Sequence, residues 1–199
     1  MSPLQRIAMG MLIVFLPANF PHDPHPAWAF YDALPDPLGW LLVLAGLRGL
    51  RVHLDVDVAR WLAWAAFVVS VPLWFPQVNH LLVPEYNDGI DVSLQWFLSL
   101  PQTVFSLLLA RGIGRAAEVR EPRDRFVAGR FGVLTWAFAA LVVLPAIAYG
   151  GRVDALVAPT LVGIGVVNLA FVYYLFRVHR REWLGGPGPL LVQPSPPKA

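Results

Sequence analysis

Cysteine is absent from this sequence of 199 residues, and charged residues are scarce. The lack of cysteine excludes disulfide bonds, thiolate metal sites and thiol-based redox chemistry. Charged residues make up 14% of the chain and hydrophobic residues 57%, whereas a soluble domain has about 25% charged residues. This composition and a mean hydropathy of +0.57 indicate a protein that is embedded in lipid.

The motifs of the common enzyme classes are missing as well. The sequence holds no P-loop, no HExxH metal motif, no nucleophile elbow and no kinase signature. The stretch from Gly112 to Ala117 loosely matches a dinucleotide fingerprint, but it follows an apolar helix and not a strand, so we do not expect nucleotide binding there. The sequence therefore predicts no cofactor and no nucleic-acid partner.

Six apolar segments divide the chain, at about residues 4–20, 37–51, 60–82, 92–113, 130–149 and 154–177. About 20 helical residues cross a hydrocarbon core of about 30 Å, which the last four segments can supply. The first is marginal in length, and the second is re-entrant unless Arg48 and Arg51 reach the headgroups. No A-x-A cleavage site follows the first segment, so we expect a retained helix and not a signal peptide. The prediction is an all-α bundle of about six transmembrane helices in one domain, 1–182, with a disordered cytoplasmic tail, 183–199.

The basic residues are distributed so unevenly that they predict the orientation of the chain. If the N-terminus is inside, fourteen of the 15 basic residues fall on the inner side and only Arg152 falls outside. Arginine and lysine accumulate in the cytoplasmic loops of membrane proteins. We therefore predict a multi-pass plasma-membrane protein with both termini in the cytoplasm. Trp28, Trp40, Trp74 and Trp96 then fall near the outer boundary, where aromatic side chains concentrate.

Three helical hairpins can be marked, because each outward segment meets a proline and each inward segment begins with an aspartate, at Asp36, Asp91 or Asp154. Aspartate is a favoured N-cap, since its carboxylate accepts a hydrogen bond from a free backbone N–H. The pattern fits a threefold repeat. It also fits any three membrane hairpins, because each needs a helix start outside and arginines inside. We expect the three aspartates to be N-caps.

A polar stripe runs along the fourth apolar segment, where steps of four, three and four residues separate Gln95, Ser99, Gln102 and Ser106. These steps keep the four side chains on one face of a helix. The same helix contains Pro101. A polar face avoids lipid, so the stripe either lines a path or cavity for a solute or forms hydrogen bonds between helices.

Other segments supply candidate neighbours for this stripe. Asn168 of the sixth segment is the predicted partner of Gln102. Phe105 lies outside the stripe, so we expect Phe105→Leu to cost little and Gln102→Leu to cost stability or activity. The second segment places Gly39, Leu42, Gly46 and Gly49 on one face, which is typical of close helix packing.

Histidines and carboxylates gather in the two predicted outer loops. The candidate metal ligands there are His22, Asp23, His25 and His80. Imidazole and carboxylate groups suit zinc, copper or nickel. Their spacing matches no established metal motif, so the alternative interpretation is a solvated polar loop.

The residues Asp32-Ala-Leu-Pro-Asp-Pro-Leu-Gly-Trp-Leu-Leu, which run into Ala-Gly-Leu-Arg, resemble a DLLPDxIGYxLI…GL pattern of uncharacterised small multi-pass membrane proteins of Gram-positive bacteria. The match covers about fifteen residues and departs from the pattern at Ala33 and Trp40, where leucine and tyrosine are expected. The resemblance implies no activity. It implies that Asp32 and Asp36, an outer acidic cluster, matter more than ordinary loop acids.

Three classes of function remain open. An accessory or assembly protein is favoured, because the chain is small and no charged residue lies in the middle of a segment, as a proton-coupled pump usually requires. A small-solute transporter or channel fits the polar stripe, and a membrane enzyme or metal-binding protein with its site on the outer face fits the histidines. The expected partners are membrane lipids and either another membrane protein or a second copy of the chain.

Overall fold

The computed structural model describes residues 1–16, 34–75, 78 and 89–189, with only the backbone described at 89–93. Within these residues the chain forms six α-helices and no strand, so the all-α prediction is confirmed. The helices are α1 (Pro3–Phe15), α2 (Asp36–Leu50), α3 (Asp57–Leu73), α4 (Gly89–Val119), α5 (Arg125–Pro145) and α6 (Asp154–Val178). A π-helical turn, Ala146–Gly150, continues α5, and a 3₁₀ turn, Glu182–Leu184, follows α6.

Two of the helices begin with an N-cap side chain that accepts a backbone hydrogen bond. The Ser2 hydroxyl accepts a hydrogen bond from the backbone N–H of Gln5 at 3.2 Å, directly before Pro3 in the first turn of α1. Asp124 Oδ1 accepts one from the N–H of Val127 at 3.2 Å and so caps α5. Both satisfy a backbone donor that has no partner inside its helix.

The predicted aspartate N-caps are wrong for α2 and α6, and α4 begins three residues earlier than an N-cap at Asp91 requires. Pro35 occupies the N-cap of α2, and Asp36 is its first helical residue. Asp154 is likewise the first residue of α6, and α4 begins before Asp91, at Gly89. A sequence pattern locates a helix start only to within one or two residues. An acid in the first turn still meets the positive end of the helix dipole, so its charge stabilises the helix start.

The helices alternate in direction and pack in chain order, and α6 also packs on α1, which closes a ring. The arginines gather at the end of the bundle where α2, α4 and α6 terminate, and we call it the basic end. We call the opposite end the far end. The most extensive contacts join α1 to α2 and α4 to α5. The proposed threefold repeat of hairpins is therefore not matched by the packing, because α4 packs more extensively on α5 than on α3.

Glycines bring the backbones of α1 and α2 together. A Cβ added at Gly39 would lie 2.7 Å from the carbonyl oxygen of Gly10, and one added at Gly46 would lie 2.7 Å from that of Pro3. Both distances are shorter than any normal contact with carbon. The close packing predicted for the glycine face of the second segment is confirmed, and its partner is α1.

Prolines shorten the first and third helices. Leu16, which precedes Pro17, has an extended backbone (φ −106°, ψ 98°), as steric conflict with a following proline requires. In α3, Pro72 lies in the last turn and the helix ends at Leu73. Both helices stop well short of the predicted segment ends at residues 20 and 82.

The helices differ in whether they can reach across a bilayer. The stretches Leu94–Val119, Arg125–Gly150 and Asp154–Val178 are long and apolar enough to do so. The first three helices have 13, 15 and 17 residues. At a rise of 1.5 Å per residue they measure about 20–26 Å.

The residues that follow α6 fold back over the basic end as a C-terminal strap, 182–189. Leu184 is fully buried, and Gly185 turns the chain with φ +77°, a conformation that favours glycine. The Gly188 N–H donates to the Arg180 carbonyl at 3.0 Å. Residues 183–189 are thus folded although the sequence assigns them to the disordered tail, and residues 190–199 lie outside the described part.

Candidate functional site

A cavity of about 230 Å³ lies between α2, α3 and α4, in the half of the bundle nearer the far end. We call it the polar cavity. Its polar side chains come from all three helices and are Asp36, Ser70, Gln95, Ser99 and Gln102. The structure therefore brings together three of the four predicted stripe residues and one of the two predicted outer acids.

Small side chains let α3 approach the other two helices. Steps of four, three and four residues separate the buried Ala59, Ala63, Ala66 and Ser70. The Ser70 hydroxyl donates to the carbonyl of Phe67 at 2.8 Å, so its hydrogen bond is made inside its own helix. Ser70 is a cavity residue that was not predicted from the sequence, although α3 repeats the step pattern of the polar stripe.

One side chain of the polar stripe, that of Ser99, makes its hydrogen bond inside α4. Ser99 Oγ donates to the carbonyl of Trp96 at 2.8 Å, while Trp96 Nε1 donates to the carbonyl of Val142 at 3.1 Å and so ties α4 to α5. Pro101 has no N–H to donate to the carbonyl of Phe97. The half-buried Gln102 side chain makes no hydrogen bond within the described residues, so its amide is the group that is free to bind a polar ligand.

An aromatic pair lies on the side of the polar cavity toward the basic end, where Trp40 lines the cavity and packs against Phe105. The rings of Trp40 and Phe105 meet edge to face, with centroids 5.4 Å apart and planes at 78°. Both side chains are essentially fully buried. Trp40, which is predicted to lie near the outer boundary, therefore packs in the core and is not exposed on the surface of the bundle. The expectation that Phe105 tolerates leucine loses its basis, because Phe105 is buried as well.

Ser106, the fourth stripe residue, is not part of the cavity lining. It is fully buried one turn beyond Gln102, and its hydroxyl has no hydrogen-bond partner among the described residues. Buried hydroxyl groups are normally hydrogen-bonded. Three residues of the stripe thus line the polar cavity, and the fourth, Ser106, is buried outside it.

Asn168 does not reach the polar cavity. It lies half-buried on α6, and within the described residues it makes no hydrogen bond to Gln102. The order of the ring explains this, because α6 packs between α5 and α1, whereas the cavity lies between α2, α3 and α4. Sequence periodicity places a residue on a helix face but does not say which helix that face meets.

The remaining predicted site residues lie in the part of the chain that the structure does not describe. These are Asp32 and the candidate metal ligands His22, Asp23, His25 and His80. Among the described residues, no group of three or more histidines and acids is placed to hold a metal ion.

Comparison with family models, with curated proteins and with solved structures gives no match for this chain.

Proposed function

We propose that this chain is an integral protein of the plasma membrane that crosses the bilayer six times. The proposal is supported by the three long apolar helical stretches and by the apolar outward faces of α5 and α6, where Val133, Trp136 and Val166 are 68%, 80% and 59% exposed. Hydrocarbon accommodates such surfaces, whereas water penalises them. The shorter α1, α2 and α3 span by local thinning of the bilayer, with arginines at their ends reaching the headgroups.

The proposed orientation has both termini in the cytoplasm. Every described basic residue except Arg152 lies at the basic end, which therefore faces the cytoplasm under the positive-inside rule. The far end and the polar cavity next to it then lie in the outer half of the membrane.

Within this frame, we propose that the protein is an accessory or assembly factor that accepts a polar group of a membrane partner in the polar cavity. The observation that carries this proposal is that the cavity is small and that five polar side chains line it. Sites for drug-sized ligands measure about 300–1,000 Å³. A cavity of about 230 Å³ suits one polar side chain better.

Access to the polar cavity also fits a partner in the membrane. Gln95 and Ser99 line it and are exposed at the surface of the bundle. Polar side chains at the surface of a membrane helix are less costly against another helix than against lipid, so this surface suits a partner helix.

A transporter of small solutes is the second candidate, and the prolines favour it. Pro72 and Pro101 interrupt the hydrogen bonding of α3 and α4 beside the polar cavity, and interrupted helices are common at transport sites. Transport requires the Trp40–Phe105 pair to separate, because it blocks the way toward the basic end.

The test is site-specific photo-crosslinking in native membranes. A benzophenone amino acid at Ser99 should capture one membrane protein, and the same probe at Val166, on the apolar face of α6, should not. Adding Gln102→Leu to the Ser99 probe should abolish the capture while the melting temperature in detergent stays unchanged.

Two results would reject the accessory role. One is equal capture from Ser99 and Val166. The other is solute flux in liposomes containing the purified chain alone, lost in Gln102→Leu, which would replace the accessory role with transport.

A further inference from the structure

A second and larger cavity, of about 590 Å³, opens at the basic end between the α4–α5 turn and the C-terminal strap. We call it the basic cavity. Two carboxylates line it, from Asp124 and Glu182, and so do six arginines: Arg120, Arg123, Arg125, Arg177, Arg180 and Arg181. Six positive and two negative side chains give the lining a formal charge of +4.

Carboxylates neutralise only part of this charge. Arg181 Nε lies 3.1 Å from Asp124 Oδ2, and Arg123 lies 3.1 Å from Glu118. Within the described residues, no acidic side chain pairs with Arg125 or Arg177. These two guanidinium groups are the unneutralised charges that line the cavity without another partner.

Two other arginines are held in place by neutral groups. Arg180 Nε donates to the carbonyl of Gly188 at 2.8 Å, and the Arg120 guanidinium lies over the ring of Trp183, 5.7 Å from its centroid. Such contacts fix the side chains but leave their charge uncompensated. The C-terminal strap therefore preorganises a positive surface.

Topology alone does not account for this arrangement. The positive-inside rule requires arginines near the ends of helices, and scattered arginines satisfy it. Here two chain segments, 120–125 and 177–181, converge on one concave surface, although like charges repel each other. An anion bound between them removes that repulsion.

We propose that the basic cavity binds the phosphate of an anionic phospholipid headgroup. The guanidinium fork matches phosphate oxygens in pairs, which suits Arg125 and Arg177 for direct contacts. The volume of about 590 Å³ accommodates a phosphoglycerol group. That a lipid supplies the phosphate rests on the proposed membrane location. In that location the cavity lies at the level of the cytoplasmic headgroups, with Trp183 at the interface.

The experiment uses the full chain purified in detergent and titrated with dioctanoyl phosphatidylglycerol, dioctanoyl phosphatidylcholine and inorganic phosphate. Binding is followed by the rise in melting temperature, because a ligand that binds only the folded state stabilises it. The test variant is Arg125→Gln with Arg177→Gln. The matched control is Arg48→Gln with Arg51→Gln, which removes two exposed arginines at the same end of the bundle that have no acidic partner among the described residues.

The expected result is binding of phosphatidylglycerol but not phosphatidylcholine, weakened about tenfold or more in the test variant and hardly changed in the control. Equal weakening in both variants, or equal binding of the two lipids, overturns the site. Inorganic phosphate that binds as tightly as phosphatidylglycerol overturns the lipid as its source.

Release of the chain from membranes by alkaline carbonate would reject the membrane proposal separately. The binding of phosphatidylglycerol in detergent does not depend on that outcome, so the two failures can be told apart.

Discussion

Gly10 and Gly39 face each other where α1 crosses α2, at a separation that leaves no room for a side chain. We predict that Gly39→Ala lowers the free energy of unfolding by about 1–3 kcal/mol, since the added methyl group forces the two backbones apart. Gly129→Ala is the matched control, because a Cβ there would meet nothing within 4 Å. It should leave stability unchanged or raise it by up to about 1 kcal/mol, as alanine is the better helix former. Melting in detergent measures both, and equal effects would contradict the tight crossing.

Gln102 and Phe105 lie one turn apart on α4 and should respond in opposite ways. Phe105→Leu should cost about 1–2 kcal/mol of stability, because it removes volume from a fully buried site and breaks the contact with Trp40. Gln102→Leu should cost little stability, since no hydrogen bond within the described residues is lost, and should impair the capture of a partner. The same melts, with crosslinking alongside, check this, and greater destabilisation by Gln102→Leu would show that the amide is structural.

At the scale of whole helices, the starts of α2 and α6 test how their aspartates act. Asp36 and Asp154 are the first helical residues, so their charge meets the helix dipole. Replacement of Asp154 by alanine or by asparagine should cost about the same, about 0.3–1 kcal/mol. If Asp154 were an N-cap, the two replacements would differ, because asparagine caps nearly as well as aspartate. Full stability in Asp154→Asn together with a loss in Asp154→Ala, measured by melting in detergent, would restore the capping interpretation.

The helices themselves were predictable from sequence, and most of their neighbours were not. Hydropathy is a local property, so each of the six apolar segments corresponds to one of the six helices in the described residues, and the step pattern of α4 predicts a polar face that does line a cavity. Which helix that face meets depends on the order of the ring. This is why the sequence pairs Asn168 with Gln102 incorrectly, and why it does not predict the contact of Trp40 with Phe105. The early end of α1 could be predicted from the sequence, because Pro17 prevents Leu16 from continuing the helix.

Across the whole molecule, charge and polarity are segregated between the two ends. The polar cavity lies toward the far end, and the basic cavity lies at the other, where the turn at 120–125 meets the chain at 177–181. The positions of the arginines in the sequence predict the charge asymmetry. Only the fold shows that two distant segments of the chain converge on one cavity. The proposed occupants of the two cavities, a membrane partner and a phospholipid, both assume that the chain spans the membrane with this asymmetry oriented across it.

Single-cysteine labelling tests this central claim most directly, since a chain without cysteine reports each introduced thiol unambiguously. With a membrane-impermeant maleimide on intact cells, we predict that Asp23→Cys and Asp88→Cys are labelled. Val52→Cys and Glu118→Cys, both exposed at the basic end, should be labelled only after the cells are permeabilised. Labelling of Glu118→Cys in intact cells, or protection of Asp23→Cys, would contradict the six-span arrangement with cytoplasmic termini.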